Sequence, residues 1–442
     1  MKVAIVTFGC RVNQYESEAM AEELEVRGFE LVPPEEAHIV IINTCVVTHR
    51  AEADSRKALR RAKRRGQKAV VVGCWPQLDP EAPLGLGAEA VVGNDRKDRI
   101  AEVLRRVIQG EVVSEVGGLG PKFRHLRLSR PRFHTRALLK IQEGCDARCT
   151  YCVVPLVRGP SRSLRPEEVL RALESFAEEG VVEVVLTGVN LGRWGRDLGG
   201  GMDLAGLLRE IERAPSPPRI RLSSIEPQEV TPELIETVAS SRKLCPHLHL
   251  PLQSGSDEVL EAMGRPYRVR DFRGLVLRIK KAIADCAIGT DVIVGFPTED
   301  EEAFHETQRL IEELPLSYLH VFPFSPRPGT AAARLADSVP EKLKRERVQV
   351  LRELGRGKRK AFIEGFVGRR LQVLVEGRKQ EGFLTGLSRN YIRCLLQGDA
   401  PVGREVEVRV VDVQGERALC QVLKDQEAHP HKGGDEQGVE DV

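Results

Sequence analysis

Three cysteines lie within eight residues in the stretch GCDARCTYC, as Cys145, Cys149 and Cys152. A structural zinc site needs a closed set of ligands, usually two Cys-x-x-Cys pairs, and no further cysteine or histidine follows at that spacing. Three thiolates can instead hold an iron–sulfur cubane and leave one iron open to a small molecule. The spacing therefore favours an iron–sulfur cluster, with zinc as the alternative.

A second set of cysteines is spread along the first part of the chain. Cys10, Cys45 and Cys74 each follow a short apolar run, in KVAIVTF, HIVIINT and KAVVVG. Such runs predict buried parallel strands, and ligands of open parallel sheets bind outside the carboxyl ends of the strands. We therefore expect these three cysteines to converge in space. The alternative is that they are small core residues.

The elements that position both sets of cysteines are predicted to be α/β units. In the first hundred residues or so, four apolar runs (the fourth is EAVVGN) alternate with helical segments, which predicts an N-terminal doubly wound parallel sheet. Six further strand patterns alternate with helical ones and predict a central partial (βα)6 barrel, whose functional loops lie at the strand C-termini. These strands are predicted at 137–143, 182–188, 219–225, 247–253, 288–295 and 316–324.

From about Glu364 the pattern changes to five short segments of alternating apolar and polar residues, which predicts a small antiparallel β-barrel at the C-terminus. The predicted domains are an N-terminal domain at 1–112, a basic linker at 113–130, a central domain at 131–363, the small barrel at 364–425 and a disordered acidic tail at 426–442.

Charge is distributed unevenly, although the formal net charge is only +2. Basic residues dominate three blocks, at Ser55–Lys68, Leu119–Arg136 and Glu341–Lys360. Such blocks indicate a polyanionic partner, most simply nucleic acid, or else solvated helix faces.

No apolar run approaches the roughly 20 residues needed to span a bilayer, and the first apolar run predicts a strand, not a signal peptide. We expect the reducing cytoplasm, where clustered cysteines hold metal or do chemistry.

The triplet motif GCDARCTYC resembles the Cys-x3-Cys-x-aromatic-Cys signature of the radical S-adenosylmethionine superfamily. The phrases HLHLPLQSGSDEVLEAMGRPY, TDVIVGFPTEDEEAF and HVFPFSPRPGT resemble the methylthiotransferases of that superfamily. So does the order of an N-terminal cysteine domain, a barrel and a last domain similar to a TRAM domain. The resemblance covers the chain up to the acidic tail.

The resemblance implies two four-iron four-sulfur clusters and S-adenosylmethionine as cofactors. One cluster would be held by the triplet and bind S-adenosylmethionine, whose reductive cleavage yields a 5′-deoxyadenosyl radical. The second would be held by Cys10, Cys45 and Cys74 and present the sulfur that is methylated and inserted. An electron donor such as flavodoxin or ferredoxin is implied as a partner, and the sulfur donor stays unassigned.

The substrate is suggested by the residues after the first cysteine. The stretch GCRVNQYESE resembles the branch that acts on N6-threonylcarbamoyladenosine beside the tRNA anticodon, and its product is the 2-methylthio derivative. Isopentenyladenosine in tRNA and a ribosomal-protein aspartate are the alternatives within the family. The alternative of another class is a non-catalytic, zinc-dependent RNA-binding protein.

Other residues are predicted to line the cofactor site. Gly188 and Asn190 follow the second barrel strand and Glu226 the third, where contacts to S-adenosylmethionine are expected. Tyr151 is expected beside the first cluster, with its backbone near the adenine. His247, His249 and Gln253 would share the inner face of one strand and contact cofactor or substrate, or else fill the barrel. Cys245, Cys286, Cys394 and Cys420 are isolated and are predicted to be buried.

Overall fold

In this computed structural model the described residues are 1–131, 135–336 and 339–423. Within these ranges no helix combines the length and the apolar character that crossing a bilayer requires. The predicted acidic tail at 426–442 lies outside the described residues, as do the last two residues of the predicted small barrel.

The described part of the chain alternates strands and helices up to a long basic helix and then continues as strands alone. The strands are Lys2–Thr7 (β1), Glu30–Leu31 (β2), Ile39–Thr44 (β3), Lys68–Gly73 (β4), Ala90–Val92 (β5), Val113–Glu115 (β6), Ala137–Lys140 (β7), Gln142–Glu143 (β8), Arg162–Ser163 (β9), Glu183–Thr187 (β10), Arg219–Leu222 (β11), His247–His249 (β12), Ala287–Val294 (β13), Tyr318–Pro323 (β14), Arg370–Gln380 (β15), Phe383–Ser388 (β16), Arg393–Gln397 (β17), Glu405–Gln414 (β18) and Arg417–Val422 (β19). The α-helices are Arg11–Val26 (α1), His49–Arg64 (α2), Cys74–Leu78 (α3), Glu81–Gly85 (α4), Ile100–Ile108 (α5), Val154–Arg158 (α6), Pro166–Glu178 (α7), Leu204–Arg213 (α8), Pro232–Ser240 (α9), Asp257–Ala262 (α10), Val269–Ala282 (α11), Glu301–Glu313 (α12) and Glu341–Glu364 (α13).

The N-terminal domain is a parallel sheet with the strand order β2-β1-β3-β4-β5-β6. Alternate residues of β3 and β4 enter two separate apolar cores, one on each face, which is why both strands are apolar throughout. Four strands were predicted and six are present. The two extra strands are edges of only two and three residues, too short for a periodic pattern. Because β6 pairs with β5, the sheet extends beyond the predicted domain boundary at residue 112.

The central domain is the predicted partial (βα)6 barrel. Its strands form two parallel three-stranded sheets, β7-β10-β11 and β12-β13-β14, which are joined through parallel bridges between Ile220 and Leu244 and between Ser224 and His249. The strand predicted at 247–253 ends at His249. Pro251 has no N–H to donate and Gln253 has a φ of 69°, so this segment cannot continue as a regular strand. Gln253 therefore does not share a strand face with the two histidines, contrary to the prediction.

The C-terminal domain is a closed five-stranded barrel with the order β15-β16-β17-β19-β18. Four of its neighbouring pairs are antiparallel, as predicted, and the pair β17–β19 is parallel. Helix α13 connects this small barrel to the central domain and packs along β14. It carries the third basic block, whereas the first block lies on α2.

A buried ion cluster fixes the small barrel to the central one. Glu183 on β10 accepts hydrogen bonds from Arg219 (2.8 Å) and Arg221 (2.7 Å) on β11, and all three side chains are fully buried. The two guanidinium groups also donate to the backbone carbonyls of Leu387 (2.9 Å) and Ser388 (3.1 Å) on β16. Burial by itself would raise the pKa of Glu183, but Arg221 and Arg219 lower that pKa to about 2.

Replacing Glu183 by glutamine should lower the free energy of unfolding near pH 7 by about 3 kcal/mol, because the buried Arg221 loses its counter-charge and the buried Arg219 keeps Glu405 (2.7 Å) in place of two carboxylates. Because the folded pKa lies below the unfolded value, the carboxylate's contribution is complete above about pH 5 and is lost as the pH falls toward 2. The difference between wild type and E183Q in urea denaturation should therefore shrink over that interval. The control Glu210→Gln, which removes an exposed pair with Arg213, should cost about 0.5 kcal/mol or less. A pH-independent difference would contradict the assignment.

Candidate active site

The triplet Cys145, Cys149 and Cys152 lies in the loop after β8, at the carboxyl end of the first barrel strand. The three thiols are free and partly exposed. Gly144 begins the loop with a φ of 75°, and a side chain at this position would overlap the carbonyl oxygen of Pro160. The loop is tied to its surroundings by the backbone N–H of Cys145, which donates to Gly159 (2.9 Å). The loop therefore presents three sulfur atoms on a supported turn.

Polar groups surround these sulfur atoms. The Asn190 amide lies 3.8 Å from the sulfur of Cys145, and the backbone N–H of Ala147 donates to the same sulfur at 3.4 Å. Arg265 donates to the sulfur of Cys149 (3.3 Å) and pairs with Glu226. Burial raises the pKa of the Cys152 thiol to about 12.

The second set of cysteines converges as the sequence predicts. Cys10 follows β1, Cys45 follows β3 and Cys74 is the first residue of α3, all at the carboxyl edge of the sheet. A Cβ on Gly9 would lie 2.8 Å from the sulfur of Cys45, so this approach requires glycine. Burial, followed by the nearby Cys74 and Cys10, raises the pKa of Cys45 to about 12.

The two sets lie near the junction of the N-terminal and central domains. Helix α6 begins two residues after Cys152 and packs against α3, which begins at Cys74. Asn94 bridges the junction, because its amide donates to the carbonyl of Val157 (2.7 Å) and lies 3.5 Å from the sulfur of Cys74. Both sets of sulfur atoms therefore border the same junction.

A buried charge network, absent from the sequence predictions, underlies this junction. Glu16 of α1 binds Lys140 (2.8 Å) and Arg158 (3.2 Å), and Glu143 binds the same two cations at 2.7 Å. Lys97 also pairs with Glu16, and none of the five side chains is more than 7% exposed. The network thus has three cations and two carboxylates. The excess positive charge lies beside Cys74 and Cys10. The sequence feature that could have indicated this network is Lys140, a charged residue within an otherwise apolar strand pattern.

The other predicted residues fall into two groups. Gly188, Asn190, Glu226 and Tyr151 lie around the first triplet. A Cβ on Gly188 would lie 2.8 Å from the Gln142 side chain, which supports the turn by donating to the carbonyl of Gly144 (2.9 Å). Tyr151 packs on a small apolar core. Gln253 lies on the opposite half of the barrel, where its backbone N–H donates to the carbonyl of Asp291 (2.8 Å).

The two histidines of β12 have different surroundings. His247 is fully buried, is hydrogen-bonded to the Tyr318 hydroxyl (2.8 Å) and stacks on Tyr391 of the small barrel, with ring centroids 4.1 Å apart. His249 lies 3.3 Å from Asp291, which also contacts His320 at 3.1 Å. The ligand atoms of this last trio lie within 4.8 Å of one another and are compatible with a divalent cation. Within the trio His320 is hydrogen-bonded to Asp291, whereas Nε2 of His249 is buried without a hydrogen-bond partner among the described residues.

A polar cavity of about 580 Å³ opens where the three domains meet. It is bordered by α1, by the inner faces of β7 and β10, and by β15, β16, β17 and β19 of the small barrel. Its charged lining residues are Arg11, Arg136, Lys379, Arg393, Arg417 and Glu376. With five cations against one carboxylate, the lining of the cavity has an excess of positive charge.

The donor set fits thiolate-bound iron. Each triplet has three converging sulfur atoms, and the carbonyl oxygen of the Asn190 side chain, beside Cys145, is buried without a hydrogen-bond partner among the described residues. A polar group bound to the open iron would satisfy that oxygen. Cationic side chains lie beside both triplets, which suits anionic clusters.

Family models match three parts of the chain: the radical SAM superfamily at residues 139–311, the uncharacterized protein family UPF0004 at 2–93 and the TRAM domain at 365–423. The fold is similar to that of the radical S-adenosylmethionine methyltransferase TsrM from Kitasatospora setae. The TM-score is 0.57 at 18% identity, over 75% of this chain and 76% of that one. Fold and first triplet thus define a radical S-adenosylmethionine enzyme, with S-adenosylmethionine and an iron–sulfur cluster as cofactors.

Similarity to curated relatives identifies the family within this class of enzyme. The threonylcarbamoyladenosine tRNA methylthiotransferase MtaB of Thermotoga maritima is 39% identical over 94% of this chain and 96% of its own length. The MtaB protein of Bacillus subtilis is 37% identical over 92% and 93%. The tRNA-2-methylthio-N(6)-dimethylallyladenosine synthase of Pelotomaculum thermopropionicum is 35% identical over 92% and 95%. The chain belongs to the methylthiotransferase family of radical S-adenosylmethionine enzymes, which rules out the alternative of a non-catalytic zinc protein.

Proposed function

We propose that this chain transfers a methylthio group to C2 of N6-threonylcarbamoyladenosine next to the anticodon of tRNA. The observation that carries the proposal is the junction that two cysteine triplets from separate domains both border. Relatives named for this nucleoside, at 33–39% identity over nearly the whole chain, support the choice of base. The dimethylallyladenosine synthases, at 35% identity, represent the alternative within tRNA. A ribosomal-protein substrate is disfavoured by the basic cavity and the basic helices, which suit RNA.

Cys145, Cys149 and Cys152 would hold the cluster that binds S-adenosylmethionine. Support comes from the orphaned side-chain oxygen of Asn190 beside Cys145 and from the Arg265–Glu226 pair beside Cys149. Gly188 and Tyr151 belong to the same surroundings, and Gln253 is the member of the predicted cofactor set that lies farthest from these contacts. Cys10, Cys45 and Cys74 would hold a second four-iron four-sulfur cluster at the sheet edge.

When bound, the first cluster supplies the electron that cleaves S-adenosylmethionine to a 5′-deoxyadenosyl radical, and the second supplies the sulfur. The residues of this chain orient the two centres and keep water away from the gap. Val153 and Val157 pack against Cys74 and Trp75 and exclude water from one side of the junction. The cationic network around Arg158 holds the two domains together beneath it.

The RNA would lie across the basic surfaces. Basic side chains of α2 and α13 are suited to phosphate contacts, which position a nucleic acid without reading its sequence. Lys379 and Arg393 of the small barrel are exposed at the rim of the polar cavity. The reaction would take place in the cytoplasm, where tRNA is found, with flavodoxin or ferredoxin as electron donor. The sulfur donor stays unassigned.

Nucleoside mass spectrometry of bulk tRNA tests the proposal. Cells that carry the gene should contain 2-methylthio-N6-threonylcarbamoyladenosine, and cells without it should contain only the nucleoside that lacks the methylthio group. The amount of 2-methylthio-dimethylallyladenosine serves as the internal control and should not change. Loss of the dimethylallyl derivative instead would show that the chain acts on the other base.

A further inference from the structure

Among the described residues, two arginines of the polar cavity have no carboxylate within ion-pair distance: Arg393, at the exposed rim, and Arg11. The guanidinium of Arg11 donates to the hydroxyl of Tyr391 at 3.2 Å. By contrast, Arg136 pairs with Glu376 (3.4 Å), and Arg417 pairs with Glu381 (3.4 Å). Arg11 is also half-buried, so the desolvation of its charge is only partly offset by contacts within the chain.

The inner end of the cavity carries a positive field. Burial would raise the pKa of the Tyr391 hydroxyl, yet the arginines around it, with Arg11 and Arg136 first among them, lower that pKa. Tyr391 itself is held rigidly. It has a φ of 66°, stacks on His247 and lies under the guanidinium of Arg221. An anion that entered here would therefore meet a fixed, positively charged wall.

The location links this wall to the second cysteine set. Arg11 follows Cys10 directly and is the first residue of α1, a helix of 16 residues with no acidic residue in its first turn. The helix terminus adds partial positive charge to that of the side chain. A base held for reaction beside Cys10 would therefore have Arg11 within reach of its substituent.

We propose that Arg11 binds the carboxylate of the N6-threonylcarbamoyl group and so selects this nucleoside over its apolar counterpart. The inference rests on the proposed function and adds the residue that recognises the substrate. A guanidinium can engage a carboxylate through two parallel hydrogen bonds. A dimethylallyl group has no acceptor, so the same guanidinium would be covered by the ligand and left without an anionic partner, which disfavours that base. Lys379 and Arg393, at the exposed rim, would contact phosphates whatever the base.

The test uses the reconstituted holoenzyme and one tRNA prepared in three forms, carrying threonylcarbamoyladenosine, its neutral methyl ester or unmodified adenosine. The wild type should bind the carboxylate form more tightly than the ester, and the ratio should be about 10- to 100-fold. In Arg11→Gln this ratio should fall to near 1, and kcat/KM on the carboxylate form should fall by the same factor. Arg11→Lys should keep part of the preference for the carboxylate form, because lysine retains the charge but cannot form two parallel hydrogen bonds to a carboxylate. Unchanged iron per chain in both variants would show that they fold.

The matched control is Arg393→Gln. This substitution should weaken the binding of all three forms of tRNA by a common factor. It should also lower the salt dependence of binding, as expected for a phosphate contact. If R11Q keeps the preference for the carboxylate over the ester, the assignment of Arg11 is wrong even though the proposed function stands. If the wild type methylthiolates only a dimethylallyladenosine tRNA, both the proposed function and this inference fail.

Discussion

Alanine in place of Cys145, Cys149 and Cys152 should abolish the formation of 5′-deoxyadenosine, with or without tRNA. The reason is that cleavage of S-adenosylmethionine needs one open iron and one electron, and we assign both to the cluster on this loop. The loop is partly exposed, so the substitutions remove ligands without opening the core. Iron should fall from about eight to about four atoms per chain in the reconstituted protein, since each set would hold one four-iron cluster.

Alanine in place of Cys10, Cys45 and Cys74 should separate the two halves of the reaction. This variant loses the site to which we assign the presentation of sulfur but keeps the first triplet, Asn190 and Arg265 intact. It should still form 5′-deoxyadenosine and should make no methylthio nucleoside. Cys45 and Cys74 are buried, so circular dichroism is needed to confirm that the domain still folds.

The matched control replaces three cysteines that lie in neither set. Cys286, Cys394 and Cys420 are buried and isolated from both triplets. Their replacement by alanine should cost some stability and leave iron near eight atoms per chain. Methylthiolation by the N-terminal triple variant would disprove the two-cluster mechanism. Iron near four atoms in the wild type would mean that only one triplet holds a cluster.

Replacing Glu16 by glutamine should have the largest effect on stability, about 4–5 kcal/mol, because three buried cations would then share one remaining carboxylate. Glu16 is 1% exposed and joins the N-terminal domain, through α1 and Lys97, to Lys140 and Arg158 of the central domain. Burial would raise its pKa, but these three cations hold the pKa well below its usual range, so the charge is present at pH 7.

Loss of that charge should loosen the junction before either domain unfolds. We therefore expect E16Q to form methylthio product at least about 100-fold more slowly than wild type, since a small displacement between reacting groups costs that much. Cleavage of S-adenosylmethionine should decline less, because its ligands lie within the central domain. Hydrogen exchange should increase along α1. The control Glu23→Gln, on the same helix but in an exposed pair with Arg27, should change stability by about 0.5 kcal/mol or less. Equal behaviour of the two variants would contradict the role of Glu16.

The small barrel contributes more than a basic surface. It is attached to the central barrel through Glu183, Arg219 and Arg221, and its Tyr391 forms part of the cavity wall. Closure of five strands leaves no exposed sheet edge, so the barrel can present its side chains on a stable surface. The cavity is therefore a product of all three domains, and no single domain contains it.

Local patterns in the sequence were sufficient for the fold class and for the convergence of the N-terminal cysteines at one sheet edge. Apolar β-branched runs define parallel strands, and the carboxyl ends of parallel strands lie at one edge of their sheet. The convergence of Cys10, Cys45 and Cys74 follows from this rule alone. The cubane interpretation of Cys145, Cys149 and Cys152 followed from their number and spacing. Both depend on backbone periodicity or short sequence distances, which are visible in a single chain.

Only the tertiary structure decided which distant residues meet. Glu16 and Arg158 are 142 residues apart, and Arg11 and Tyr391 are 380 apart, so neither contact leaves a periodic trace in the sequence. Predictions from sequence periodicity also failed for the shortest segments. Edge strands of two or three residues exist because a neighbouring strand offers hydrogen bonds, and Gln253 left its predicted strand at a proline and a positive φ. Periodicity determines which face of an element is buried, whereas the packing of whole domains determines which charges share a cavity.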